Sequence, residues 1–126
     1  MFKYSVSKVV SMDEFKNSLY GLHSRILKVL ANPRRLMILD QLHSGEKTVS
    51  EIVDLLEIPQ ATVSQHLAAI REQGVVTATR RGNTVFYSLA DPRIVQACDL
   101  FREFLLNRIR TSQDLAERFD MSITKS

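Results

Sequence analysis

The hydrophobic period changes at Gly74. Over residues 48–73 the apolar residues recur at helical spacing and over residues 76–89 they alternate, so the chain must place two short helices directly before a β-hairpin. The first helix of the pair opens at Thr48-Val49-Ser50-Glu51, the capping-box pattern in which a hydroxyl and a carboxylate three residues apart serve each other's backbone N–H groups. It carries Ile52, Leu55 and Leu56. Glu57-Ile58-Pro59 makes a brief turn, and the second helix runs from near Pro59 to just before Gly74 with Val63, Leu67 and Ile70 on one stripe. Val76-Thr77-Ala78-Thr79 and Val85-Phe86-Tyr87-Ser88-Leu89 then read as two strands joined by a turn at Arg81-Gly82-Asn83.

The flanking segments are helical. Phe15, Leu19, Leu22, Ile26 and Val29 repeat at alternating steps of four and three, the seam spacing of a helix that packs on another helix. Asn32-Pro33 supplies a cap and a proline at the first helical position for a helix lined by Leu36, Leu39 and Leu42 that ends at Gly45. Asp91-Pro92 caps a last helix with a stripe of Ile94, Cys98, Phe101, Leu105 and Ile109, which Leu115 and Phe119 extend. The expected fold is mainly α with a small β-hairpin, ordered α-α-α-α-β-β-α as a winged helix-turn-helix, in one domain over residues 1–126. Its 44% hydrophobic and 25% charged composition suits a single core of ordinary size. No apolar run approaches the ~20 residues that cross a bilayer, and "MFKYSVSKVVSMDEF" lacks the apolar core of a signal peptide. Cys98 is the single cysteine, which excludes an intrachain disulfide and suggests a reducing compartment. A cytoplasmic protein with no membrane partner is expected.

A helix-turn-helix followed by a two-stranded wing can lay its second helix in the major groove of DNA and its hairpin tip along the backbone or minor groove. The second helix suits that use. Gln60, Ala61, Ser64 and Gln65 occupy a face where an ordinary solvated helix would carry Lys and Glu. Glutamine can pair bidentately with adenine, serine can donate or accept at either base edge, and alanine can meet a thymine methyl. Arg80, Arg81 and Asn83 at the hairpin tip could reach phosphates or a narrow minor groove. Bulk charge does not make the case: the 17 basic and 14 acidic residues give +3, but residues 33–93 hold seven of each and the surplus is N-terminal. The local clusters Arg34-Arg35 and Arg80-Arg81 must carry it. Taken alone, a solvated helix face or a solvated turn would explain either feature.

"LANPRRLMILDQL" followed by "TVSEIVDLLEIPQATVSQHLAAIREQGVVTATRRGNTVFYSL" resembles the ArsR/SmtB-type winged-helix regulators, a bacterial and archaeal family of dimeric repressors, over roughly residues 26–98. The resemblance implies base contacts from the segment holding Gln60, Ala61, Thr62, Ser64, Gln65 and His66. It implies backbone contacts from the wing at Arg80, Arg81, Asn83 and Thr84. It also implies a homodimer built on residues 12–31 and 91–121, with Leu19, Leu22, Ile26, Cys98, Phe101 and Leu105 at the interface. Glu57 departs from the glycine common at its turn position.

The family's metal motifs are missing. Thr48 and Ser50 stand where its arsenic, lead and cadmium sensors carry thiolates. Its zinc sensors use an aspartate and three histidines; Asp91 matches the aspartate, but Arg93, Phe104 and Asn107 occupy the histidine positions, which leaves Asp91 as a helix cap. His23, His43 and His66 fall on three different helices without a second ligand at i+3 or i+4. His66 is expected to pack or to touch a phosphate. Cys98 reads as a small buried hydrophobe on the dimer stripe or as a redox sensor, although the family's persulfide sensors need two cysteines. No nucleophile elbow, phosphate loop, zinc-protease helix or dinucleotide fingerprint is present. The expectation is therefore a sequence-specific, dimeric transcriptional repressor acting on a double-stranded DNA operator, with no enzymatic activity, no cofactor and no metal. The alternatives are an activator-like or derepressing member, and a winged helix used only to bind protein.

Overall fold

Each helix but one starts where a side chain serves its first free N–H groups. The computed structural model describes residues 9–111 and 117–118. In α1 (Met12–Leu30), Ser11 Oγ accepts the Glu14 N–H at 3.0 Å and the Glu14 carboxylate accepts the Ser11 N–H at 3.2 Å. Asn32 Oδ1 accepts from the N–H groups of Arg34 and Arg35 to open α2 (Pro33–His43). Thr48 and Glu51 form the reciprocal pair that starts α3 (Val49–Leu56), at 3.1 and 2.8 Å. The exception is α4 (Gln60–Glu72), which follows Pro59 without a side-chain cap. β1 (Val76–Arg81) pairs antiparallel with β2 (Thr84–Leu89), Val76 opposite Leu89 and Arg81 opposite Thr84. In α5 (Arg93–Thr111) the first free N–H, that of Arg93, goes to the Asp91 carboxylate at 2.9 Å, the capping role expected of Asp91. Leu115 and Phe119 lie outside the described residues.

The α3–α4 turn passes through Glu57, whose backbone is left-handed (φ 54, ψ 44) and whose N–H donates to Val53 O at 2.8 Å. A β-carbon crowds the carbonyl in that conformation, which is why glycine usually occupies such helix ends. The departure noted in the sequence thus leaves the turn intact and makes it strained.

The core sits where α2, α3 and α4 meet the base of the hairpin. Ile38, Leu39, Ile52, Val63, Leu67 and Ile70 are at most 1% exposed. Val75 and Val76 continue the core into β1, whereas α1 contributes only Leu30 to it and α5 only Val95. Two stripes are rotated from the expected ones. Ile38 joins Leu39 and Leu42 inside while Leu36 stays 36% exposed, and Leu55 is 54% exposed while Ile52 carries the inner face of α3. On helices this short, a choice between neighbouring apolar positions is decided by the facing elements rather than by spacing.

The hairpin corrects a second expectation. Arg81 lies in β1, paired with Thr84, so the loop is only Gly82-Asn83. Gly82 takes φ +64, the left-handed first position of a two-residue turn, and that conformation closes the hairpin without recruiting a third residue. A further pairing was not legible in the sequence. Lys47 N–H donates to Tyr87 O at 2.9 Å and Tyr87 N–H to Lys47 O at 2.8 Å, so the α2–α3 connection lies against β2 like a third strand.

Candidate nucleic-acid interface

With Val63, Leu67 and Ile70 fully buried, the helical period leaves Gln60, Ala61, Ser64 and Gln65 exposed on α4. The four form one uncharged surface, with Ala61 and Ser64 short and the two glutamines reaching further. Small side chains let a helix approach closely, and the two amides and the hydroxyl can both donate and accept. Thr62 and His66 are half-buried, at the edge of that surface. The uncapped first turn adds free backbone N–H groups and the positive end of the helix dipole beside Gln60.

At the wing tip Arg80, Asn83 and Thr84 are exposed. Arg81 is exposed as well but is engaged. Its guanidinium forms a two-pronged ion pair with Glu46, one arm at 3.2 Å, and lies 3.9 Å from the centre of the Phe86 ring. The hydrogen bond to Arg81 holds the Glu46 carboxyl below the usual carboxylate range, and the same bond raises Arg81. The two arginines that look equivalent in sequence are therefore different: Arg80 is presented, and Arg81 joins the wing to the α2–α3 connection.

The second basic pair is likewise split. Arg35 turns inward, with Nε donating to His66 Nδ1 at 3.1 Å and Nη1 donating to Val29 O at 3.0 Å, while Arg34 stays exposed. Burial first, then the charges of Arg35 and Arg34, push the His66 ring below its ordinary 6.5. The Arg34-Arg35 cluster was visible in the sequence, but Glu46, Val29 and His66 as partners were not, because each pairing spans elements far apart in sequence or depends on side-chain direction.

The helices α1 and α5 expose Leu19, Leu22, Phe101 and Phe104 at 52–62% and Leu105 at 41%, with Ile26 and Cys98 half-buried. Burial pushes the Cys98 thiol up, away from the reactive thiolate. Asp91 is held at about 2 by the Arg93 guanidinium, which reaches both carboxylate oxygens, so its lone pairs are already committed. Among the described residues no group of three or more His, Cys, Asp or Glu is placed to hold a metal ion, and no helix is long and apolar enough to cross a membrane.

The bacterial regulatory protein, arsR family model matches residues 32–78, which run from the Asn32 cap to the middle of β1. The chain is 47% identical over 66 residues to the HTH-type transcriptional repressor SmtB of Mycobacterium tuberculosis, covering 52% of this chain and 49% of that protein, about half its length. It is 40% identical over 75 residues to the transcriptional activator HlyU of Vibrio cholerae, covering 60% of this chain and 69% of that one. Its fold is similar to that of a homodimeric winged helix-turn-helix DNA-binding domain from Mycobacterium bovis, described as a possible ArsR-family regulator. That likeness has a TM-score of 0.69 at 28% identity and covers 90% of this chain and 97% of that one.

Proposed function

The chain belongs to the arsR family of bacterial regulatory proteins, and on that premise we propose that it is a homodimeric repressor that reads its operator with α4 and is not switched by metal. It is a winged helix-turn-helix transcriptional regulator of a family of DNA-binding proteins rather than of enzymes. The observation that carries the finer reading is the exposed, uncharged face of Gln60, Ala61, Ser64 and Gln65 beside a wing that presents Arg80 and Asn83. In this reading Gln60 and Gln65 contact base edges, Ala61, Thr62 and Ser64 allow close approach, and Arg80, Asn83 and Thr84 lie along the backbone. The dimer forms through α1 and α5, whose Leu19, Leu22, Phe101 and Leu105 have no counterpart among the described residues of the protomer to cover them. Relatives include both a repressor and an activator. Repression is the reading we propose, since two recognition helices on an operator suffice to block a promoter.

Anisotropy titrations of a duplex from the protein's own promoter and of an unrelated duplex, at several salt concentrations, test the assignment. Gln60→Ala or Gln65→Ala is expected to cost about 1–3 kcal/mol on the operator and much less on the unrelated duplex; equal losses on both would remove the base-reading role. Metal independence is supported by Thr48 and Ser50 in place of thiolates and by an Asp91 carboxylate already held by Arg93. Low-micromolar zinc, cadmium or arsenite is expected to leave operator affinity unchanged. A metal-dependent loss of roughly 5- to 150-fold, reversed by a chelator, is the signature of an allosteric metal switch and would refute it.

A further inference from the structure

A single guanidinium joins two helices that the proposed function needs to keep in register. Arg35, on the first turn of α2, donates Nη1–H to the carbonyl of Val29, one of the last-turn carbonyls of α1 that a helix leaves without an internal partner. The same side chain donates Nε–H to Nδ1 of His66, in the middle of α4. Arginine has no acceptor atom, so Nδ1 must hold its lone pair, and the ring's single proton therefore sits on Nε2. A protonated ring would carry N–H groups at both nitrogens, would turn a donor against a donor, and would place two cations 3.1 Å apart. Among the described residues, the charges that act on the ring are Arg35 and Arg34, both from α2; α1, α3 and β1, which also pack on α4, bring none to it.

We propose that Arg35 is a positioning residue that ties the recognition helix to the helix bearing the dimer face, and that the tie holds only while the His66 ring is neutral. It rests on the reading of α4 as the DNA-contacting helix and of α1 as part of the dimer interface. In a dimer on two half-sites, the angle between each recognition helix and the dimer axis sets whether both helices enter the groove together. Arg35 fixes one end of that angle without touching DNA. His66 serves as the acceptor of the link. Because the folded state disfavours the protonated ring, the stability it contributes is fully present above 6.5 and is lost as pH falls from 6.5 through the lower folded value.

Two measurements on the full chain separate the link from the DNA reading. Nitrogen-15 NMR of the histidine rings in the free protein is expected to show His66 with its proton on Nε2 and titrating below 6.5; Arg35→Lys, which keeps the charge and the burial, is expected to weaken the Nε2 tautomer preference while the titration stays below 6.5. A proton on Nδ1, or titration at or above 6.5, overturns the link. On the operator, Arg35→Lys keeps the charge but cannot fork to two acceptors. It is expected to bind on the order of tenfold more weakly, as for a lost hydrogen bond to a charged group, with the salt slope unchanged; a slope lower by about one would mean that Arg35 itself meets a phosphate. Wild-type affinity is expected to fall between about pH 7.5 and about pH 5.5. His66→Gln, whose carbonyl can accept from Arg35 while its amide stays neutral, is expected to lose that fall whatever its affinity at the higher pH. Affinity that rises on acidification, or the same fall in His66→Gln, overturns the proposal. If wild type binds no duplex at any salt while His66 titrates as expected, the DNA-binding reading fails and the link stands.

Discussion

At the residue scale, the informative contrast is between neighbours of the same type. Arg80 and Arg81 differ in which face of β1 they occupy, yet among the described residues the first has no ion-pair partner and the second is held by Glu46 and stacked on Phe86. The salt dependence of DNA binding counts the phosphates that a protein neutralises. Arg80→Ala is therefore expected to flatten that slope on every duplex, whereas Arg81→Ala should leave the slope and loosen the wing, read as faster amide exchange across Val85 to Tyr87. Equal slope changes would show that Glu46 releases Arg81 to the DNA. Much of the α4 surface was legible from spacing alone: once Val63, Leu67 and Ile70 define the inner stripe, Gln60, Ser64 and Gln65 must face out. Which arginine of a pair is engaged was not legible, because the partner is 35 residues away and only the folded register brings Glu46 to the wing.

At the scale of elements, caps and turns decided the outcome. The Ser11, Asn32 and Thr48 caps stand where hydroxyl or amide side chains precede an apolar repeat, and helix order and hairpin position followed from them. What spacing could not supply was the pairing of Lys47 with Tyr87, which depends on the hairpin folding back over α2, and the rotation of α3 that buries Ile52 and leaves Leu55 outside. The left-handed Glu57 is a position where a side chain costs free energy and glycine does not. Glu57→Gly is expected to stabilise the fold by about 0.5–1 kcal/mol, the relief of roughly 1–2 kcal/mol being partly offset by the freer unfolded chain. Denaturant midpoints would check this; a lower midpoint would mean that the Glu57 side chain makes a compensating contact. The strain sits between α3 and α4, at the turn from which α4 sets out.

For the whole molecule, the imbalance between core and surface is the main fact. The central helices are packed to near-zero exposure while α1 and α5 donate one buried residue each and leave Phe15, Leu22, Leu100 and Phe101 more than half exposed. Patches of that kind on small proteins are usually covered, which supports the proposed dimer. Leu22→Glu with Leu105→Glu is expected to give monomer or insoluble protein and to abolish operator binding; a soluble double variant that still sediments as a dimer would place the interface elsewhere. If α1 and α5 are held mainly by a second copy, association and folding are one equilibrium, and the melting temperature should climb with protein concentration. Operator occupancy would then depend on roughly the square of the free protomer concentration when protomers are scarce. In the proposed dimer, dilution by growth would loosen operator binding more than proportionally, so that the protein's own concentration would act as a signal.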